Sequence, residues 1–266
     1  MGGVADWLDL IPSAAALDPL YHPDRERLPN GRSIHPETRH WLRNVVDGQG
    51  IRSRAHSLQA ILLDHPRASA DPSRWLSLAC GAALPVLNAA AALGRSGLPV
   101  PDVTLADLDS SALRLARSYA AERGITEQAH LRRCNVLDPA GFARRGWIGR
   151  FDVVDAVGLL EYLKIADWTY TYRGVITSRK KLAGAVTFLA NAFGCVKAGG
   201  SLVVGNMLDT HPQLGFTLDV VQWPHIQPRS VEAMLQIFAA AGLTGHVDVY
   251  LPSDGVYAIY AIRKPC

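Results

Sequence analysis

Residues 75–84, Trp-Leu-Ser-Leu-Ala-Cys-Gly-Ala-Ala-Leu, constrain this chain more than any other stretch. A short apolar run with strand character opens into a turn of very small side chains and then into an Ala-rich helical segment. Such a strand–turn–helix is the first unit of a parallel α/β sheet, and its bend leaves backbone N–H groups bare enough to meet a carboxylate or phosphate. About twenty residues on, a second strand, Val103-Thr-Leu-Ala106, stops at Asp107, where an acid following the first βα unit accepts the two hydroxyls of a ribose. Together the two features point to a nucleoside-containing cofactor. Each also has a plainer reading. The turn at 79–83 serves close helix–sheet packing equally well, and Asp107 or Asp109 can be a helix N-cap, a role that suits Asp109 better.

Beyond Trp75 the same alternation continues. Strands are expected near 75–79, 103–106, 130–134, 152–157, 200–206, 245–250 and 256–262, and helices near 84–94, 110–123, 179–196 and 229–241, with Gly124, Gly199 and Gly242 at stop positions. This pattern predicts an α/β fold, a Rossmann-like three-layer sandwich on a mostly parallel seven-stranded sheet. Residues 1–70 read differently. Pro12, Pro19, Pro23, Pro29, Pro36 and Pro66 break that region into turns and short helices. Trp41/Val45 and Leu58/Ile61/Leu62 fall at helical spacing within 36–46 and 53–63. The expected organisation is an N-terminal helical cap over 1–70 and a Rossmann-like domain over 71–266. An aromatic-rich stretch at 164–178 interrupts the latter as a lid-like insertion.

A chain of 266 residues, 48% of them hydrophobic, has material for one large core. Cys80, Cys134, Cys195 and Cys266 lie too far apart for a zinc site, so no metal is expected, and free thiols in a reducing cytoplasm fit them best. The first residues lack a basic region followed by an apolar one, and no apolar run reaches membrane-spanning length, so a soluble cytoplasmic protein is expected. A net charge of +3 spread over scattered arginines does not indicate nucleic acid.

From residue 70 onward the order and spacing of five segments resemble the class I S-adenosylmethionine-dependent methyltransferases. The segments are Leu76-Ser-Leu-Ala-Cys-Gly-Ala82, Thr104-Leu-Ala-Asp-Leu-Asp109, Arg132-Arg-Cys-Asn-Val-Leu-Asp138, Phe151-Asp-Val-Val-Asp-Ala-Val-Gly158 and Val196-Lys-Ala-Gly-Gly-Ser-Leu-Val-Val204. The resemblance implies that S-adenosylmethionine is the cofactor, with Ala79, Cys80 and Gly81 along its methionine part. Asp107, with Leu108 beside it, takes the ribose, Asn135 and Val136 border the adenine, and Val157 and Gly158 close the floor. Arg54, in the cap, is a candidate partner for the cofactor carboxylate, or a surface arginine. The first turn departs from the family pattern in keeping one glycine, Gly81, which also disfavours a nicotinamide dehydrogenase. Gly158-Leu-Leu-Glu-Tyr-Leu163 and Gly205-Asn-Met-Leu-Asp-Thr-His-Pro212 look like a bacterial subgroup, some of whose members serve natural-product pathways.

Methyl transfer requires a collinear acceptor and, for a protonated acceptor, a general base. Glu161, His211 and His225 are the candidate catalytic residues, each with a bland alternative as a helix-start charge or a solvated loop histidine. Tyr162, Trp168, Tyr172, Asn206 and Trp223 are candidate substrate contacts; core packing competes for the aromatics. Tyr170 shares that reading, and Tyr257 would at most be a wall. The function expected is methylation of a small molecule in specialised metabolism. The rivals are an RNA or protein methyltransferase, suggested by a pI near 8.7, an aminocarboxypropyl transferase on the same cofactor, and a non-catalytic cofactor-binding subunit. A homo-oligomer is left open.

Overall fold

The computed structural model describes residues 4–11, 13–65, 72–172, 178–223 and 226–266. Four helices come first: α1 (Val4–Leu8), α2 (Ala14–Tyr21), α3 (Pro36–Asn44) and α4 (Val46–Asp64). The proline pattern explains why three are short. Pro36 opens α3, where its missing N–H costs nothing, whereas α4 is free of proline and runs 19 residues.

The chain then alternates β1 (Arg74–Leu78), α5 (Leu84–Arg95), β2 (Asp102–Asp107), α6 (Ser110–Glu122), β3 (Ala129–Arg133), α7 (Gly141–Arg144) and β4 (Phe151–Ala156). A hairpin of β5 (Trp168–Tyr172) and β6 (Ser178–Leu182) follows. After it come α8 (Ala185–Cys195), β7 (Val196–Met207), α9 (Val231–Ala240), β8 (His246–Tyr250) and β9 (Tyr257–Arg263). The seven long strands form one sheet in the order β3-β2-β1-β4-β7-β9-β8. All run parallel except β9, which is antiparallel to both neighbours.

Alternating side chains divide the core between the two faces of this sheet. In β1, Trp75 joins Leu42, Leu58, Leu87 and Tyr119 beneath α4, α5 and α6, while Leu76 and Leu78 join Phe188 and Phe238 beneath α8 and α9. The result is the three-layer α/β sandwich expected. The N-terminal helices have no separate core, because Trp7, Leu20 and Leu42 belong to the same apolar cluster as Val103 and Ile259. Contact is closest at Gly50 of α4, where an added Cβ would lie 2.5 Å from Val256.

One element departs from expectation. The helix anticipated over 179–196 begins only at Ala185, because residues 178–182 pair antiparallel with Trp168–Tyr172. The β-branched and aromatic run Trp-Thr-Tyr-Thr-Tyr supplies a partner strand that the local helical character of Lys180-Lys-Leu-Ala183 does not resist. Asp167 ties the hairpin to α8, accepting the Gly184 N–H at 2.9 Å and pairing with Lys181 at 3.1 Å. Among the described residues no helix is long and apolar enough to cross a membrane, and no group of three or more His, Cys, Asp or Glu is placed to hold a metal ion.

Candidate active site

The turn after β1 takes a conformation its composition makes costly. Ala79, Gly81 and Ala83 all have positive φ, at 49°, 52° and 54°, a region that suits glycine and strains alanine. Alternate left-handed residues curl the backbone so that successive N–H groups face inward, as in anion-binding concavities. The bend is fixed from the next strand, since Asp107 Oδ2 accepts the Gly81 N–H at 2.8 Å and Oδ1 accepts the Asp109 N–H at 2.9 Å. Asp109 caps α6 by accepting from Ser111 at 2.7 Å.

Two adjoining cavities open here, at the carboxyl ends of β1, β2 and β4. The smaller, about 100 Å³, lies between residues 77–86, helices α2 and α4, and Asp155, Val157 and Gly158. The larger, about 210 Å³, continues past Asp107 to Glu161, Tyr162, Trp223 and Tyr257. Ala14, Leu17, Arg54, Ala79, Gly81 and Gly158 border both.

Arg54 and Glu161 form the charged centre of the larger cavity. Arg54 is buried on α4, with its guanidinium 4.5 Å from the centre of the Tyr257 ring and Nη1 3.3 Å from Glu161 Oε1. Among the described residues Glu161 Oε2 has no hydrogen-bond partner although it is buried. Burial pushes the Glu161 carboxyl up, and Arg54 opposes that rise. The 3-10 turn Leu160–Tyr162 that carries it is bolted from behind by Arg229, which donates to the Leu160 carbonyl at 2.8 Å and to the Leu163 carbonyl. Tyr162 is fastened through its hydroxyl, which accepts from Trp223 Nε1.

No protein-family model and no curated protein matches the chain. Solved structures do. A possible exported protein from Bordetella parapertussis superposes with a TM-score of 0.71 at 18% identity, over 99% of this chain and 83% of that one. An O-methyltransferase family protein from Burkholderia thailandensis gives 0.58 at 18%, over 83% of this chain and 59% of that one. The S-adenosylmethionine-dependent methyltransferase SibL gives 0.54 at 20%, over 98% and 69%. The chain has the Rossmann-like methyltransferase fold. Identities this low establish the fold alone.

On this fold the residues singled out in the sequence separate into three groups. Ala79, Cys80, Gly81, Asp107, Val157, Gly158, Arg54, Glu161, Tyr162, Trp223 and Tyr257 come together around the two cavities. Leu108, Asn135 and Val136 lie beside them at the ends of β2 and β3 without lining either cavity. Leu108 is exposed, Val136 is buried in the α8 side of the core, and Asn135 Oδ1 accepts the Leu137 N–H at 3.0 Å in a local turn.

The third group is elsewhere. His211 is buried away from both cavities, Nδ1 accepting the Gln213 N–H at 2.9 Å and Nε2 lying 3.3 Å from Asp47 Oδ1, poorly aligned for a hydrogen bond. It ties the loop after β7 to the start of α4, so the catalytic reading of His211 is corrected to a structural one. Asn206 is also structural. Fully buried in β7, it accepts from Arg229 at 2.8 Å and donates to the Met207 carbonyl at 2.7 Å. Trp168 packs against the α8 side of the core, and Tyr170 is exposed, so the hairpin does not bring these rings to the cavities. Tyr172 ends β5, and its side chain, like His225, lies outside the described residues.

Sequence reasoning passed over Asp155. This carboxyl is buried within β4, where its Oδ1 accepts from the Ser77 hydroxyl at 3.0 Å, and desolvation pushes it up to about 7 against that bond. The signal was present in Phe151-Asp-Val-Val-Asp-Ala156, because an acid in the middle of a strand buried on both faces needs a partner.

Proposed function

We propose that this chain is an S-adenosylmethionine-dependent methyltransferase acting on a small-molecule acceptor. The observation that carries the reading is the junction of Asp107 with the left-handed bend at 79–83, opening directly onto a cavity that holds a buried carboxylate oxygen without a partner. The residues suit such a cofactor. Asp107 spends one lone pair of each oxygen on backbone N–H groups, and the remaining pairs are available to a ribose diol. Ala79 and Gly81 keep the bend free of bulk. Bound there, the cofactor supplies an electrophilic methyl group.

The chain's own part is to position the acceptor and take its proton. Glu161 Oε2 faces the larger cavity as the base, and Arg54 holds the other oxygen so that one lone-pair direction is presented. Trp223, Tyr162 and Tyr257 wall the space with aromatic surface, which suits an acceptor with an apolar or planar body and one hydroxyl or amine. The enclosed, mainly apolar character of this space favours a small acceptor over a macromolecule. Calorimetry with S-adenosylhomocysteine tests the cofactor, and incubation with S-adenosylmethionine and a metabolite extract tests the transfer. A product heavier by one methylene supports the reading. A gain of an aminocarboxypropyl group, or no affinity for the nucleoside, replaces it.

A further inference from the structure

The back of the smaller cavity holds a charge that the methyl-transfer reading leaves without a task. β1 and β4 meet where the strand order reverses, with β2 and β3 on one side and β7 on the other, and ligands of open parallel sheets bind off the strand ends at such a point. Ser77 and Asp155 are register partners there and both line the cavity. Apart from the 3.0 Å bond from the Ser77 hydroxyl, nothing among the described residues offsets the burial of this carboxyl. A neutral hydroxyl does not compensate a buried negative charge; an opposite charge or a retained proton does.

The surroundings say which charge would fit. Asp107 stands at the end of β2 and Asp155 in β4, flanking β1, and both push the Cys80 thiol up between them. The turn is therefore set between two acids. The cavity beside Asp155 is about 100 Å³ and is walled by Ala79, Cys80, Gly81 and Ala83, so it admits a compact cation in preference to a branched one. Arg54 borders the same space. One acid and one guanidinium about a small cavity are complementary to an α-amino-acid zwitterion, with ammonium toward the acid and carboxylate toward the arginine.

We propose that Asp155 is the anchor for the α-ammonium group of an aminoacyl nucleoside whose ribose is held at Asp107. This deepens, and rests on, the reading of the two cavities as a nucleoside-cofactor site. It assigns the acid to the cofactor's amino-acid end and leaves Glu161 to the acceptor.

The test titrates wild type, Asp155→Asn and Asp155→Ala with S-adenosylhomocysteine and with 5′-methylthioadenosine, which keeps the nucleoside and thioether but lacks the amino acid. Both variants are expected to lose at least about tenfold in affinity for S-adenosylhomocysteine, the effect of one charge-assisted contact, and to bind 5′-methylthioadenosine like wild type. Retained binding of the second ligand also reports that the variant is folded. Unchanged affinity for S-adenosylhomocysteine, or an equal loss for both ligands, overturns the assignment. If wild type binds neither nucleoside, the cofactor reading itself fails, a result distinct from failure of the anchor alone.

Discussion

Asp107 Oδ2 lies 2.8 Å from the Gly81 backbone nitrogen, so the acid that ends β2 also holds the bend that follows β1. One carboxylate thereby serves fold and ligand together. Replacing it by alanine removes two acceptors for a ribose diol and lets the bend relax. Asp107→Ala is expected to weaken S-adenosylhomocysteine binding by about 1–3 kcal/mol. Unchanged affinity by calorimetry would remove Asp107 from the nucleoside site.

Ala79 has φ of 49°. An alanine in that region costs roughly 1–2 kcal/mol, and a glycine there costs the unfolded chain roughly 0.5–1 kcal/mol of extra freedom. The difference favours glycine. Ala79→Gly is expected to stabilise the protein by about 0.5–1 kcal/mol, raising the melting temperature by about 1–4 °C. A lower melting temperature would show that the methyl group contributes packing that outweighs the strain.

The sheet was legible in the sequence because each strand is a short apolar run bounded by turn residues, a signal that survives without long-range information. The acid at Asp107 was legible for the same reason, being defined by its distance from the first turn. The hairpin at Trp168–Leu182 was not, since Lys180-Lys-Leu182 becomes a strand only through its partner on the other side of the loop. His211 shows a second limit. Its position after β7 matched a catalytic loop, yet its burial depends on Asp47 and Thr217 meeting it from different parts of the chain. Backbone strain at Ala79 and Ala83 was equally hidden, because an alanine-rich turn does not announce a left-handed conformation.

That burial makes His211 a matter of stability. Asp47 lies 3.3 Å from the His211 ring and accepts from the Thr217 hydroxyl at 2.8 Å. Without the ring the buried carboxylate keeps the hydroxyl and loses the imidazole, and a void remains. His211→Ala is expected to lower unfolding free energy by about 2–4 kcal/mol in urea, with the pH profile of turnover keeping its shape. A large fall in turnover at unchanged stability would return His211 to the chemistry.

Asp155 gives stability a pH dependence of known sign. Its carboxyl is pushed up to about 7 in the folded chain from an ordinary 3.8. Between those values the native state binds the proton that the unfolded chain has released, so this contribution is complete at low pH and is lost as pH rises through 7. The loss is roughly 3–5 kcal/mol. Asp155→Asn carries no proton to lose, so it should match wild type in urea melts near pH 4 and exceed it near pH 8. Equal stability of the two proteins at pH 8 would show that the buried carboxylate is compensated in the native state.

Glu161 is set apart from an ordinary buried acid by the contrast between its two oxygens. Oε1 lies 3.3 Å from Arg54 Nη1, and Oε2 is buried without a partner among the described residues, beside the larger cavity. Glutamine preserves shape and the contact through its amide oxygen but cannot accept a proton at neutral pH. Glu161→Gln is therefore expected to lower kcat by about 10²–10⁴-fold while changing affinity for S-adenosylhomocysteine little. Burial pushes the wild-type carboxyl up, so activity should fall on the acid side at a pH above the usual carboxylate range, and that limb should vanish in the variant. Full activity with the limb intact would leave Glu161 as a partner of Arg54 and move the base to another group.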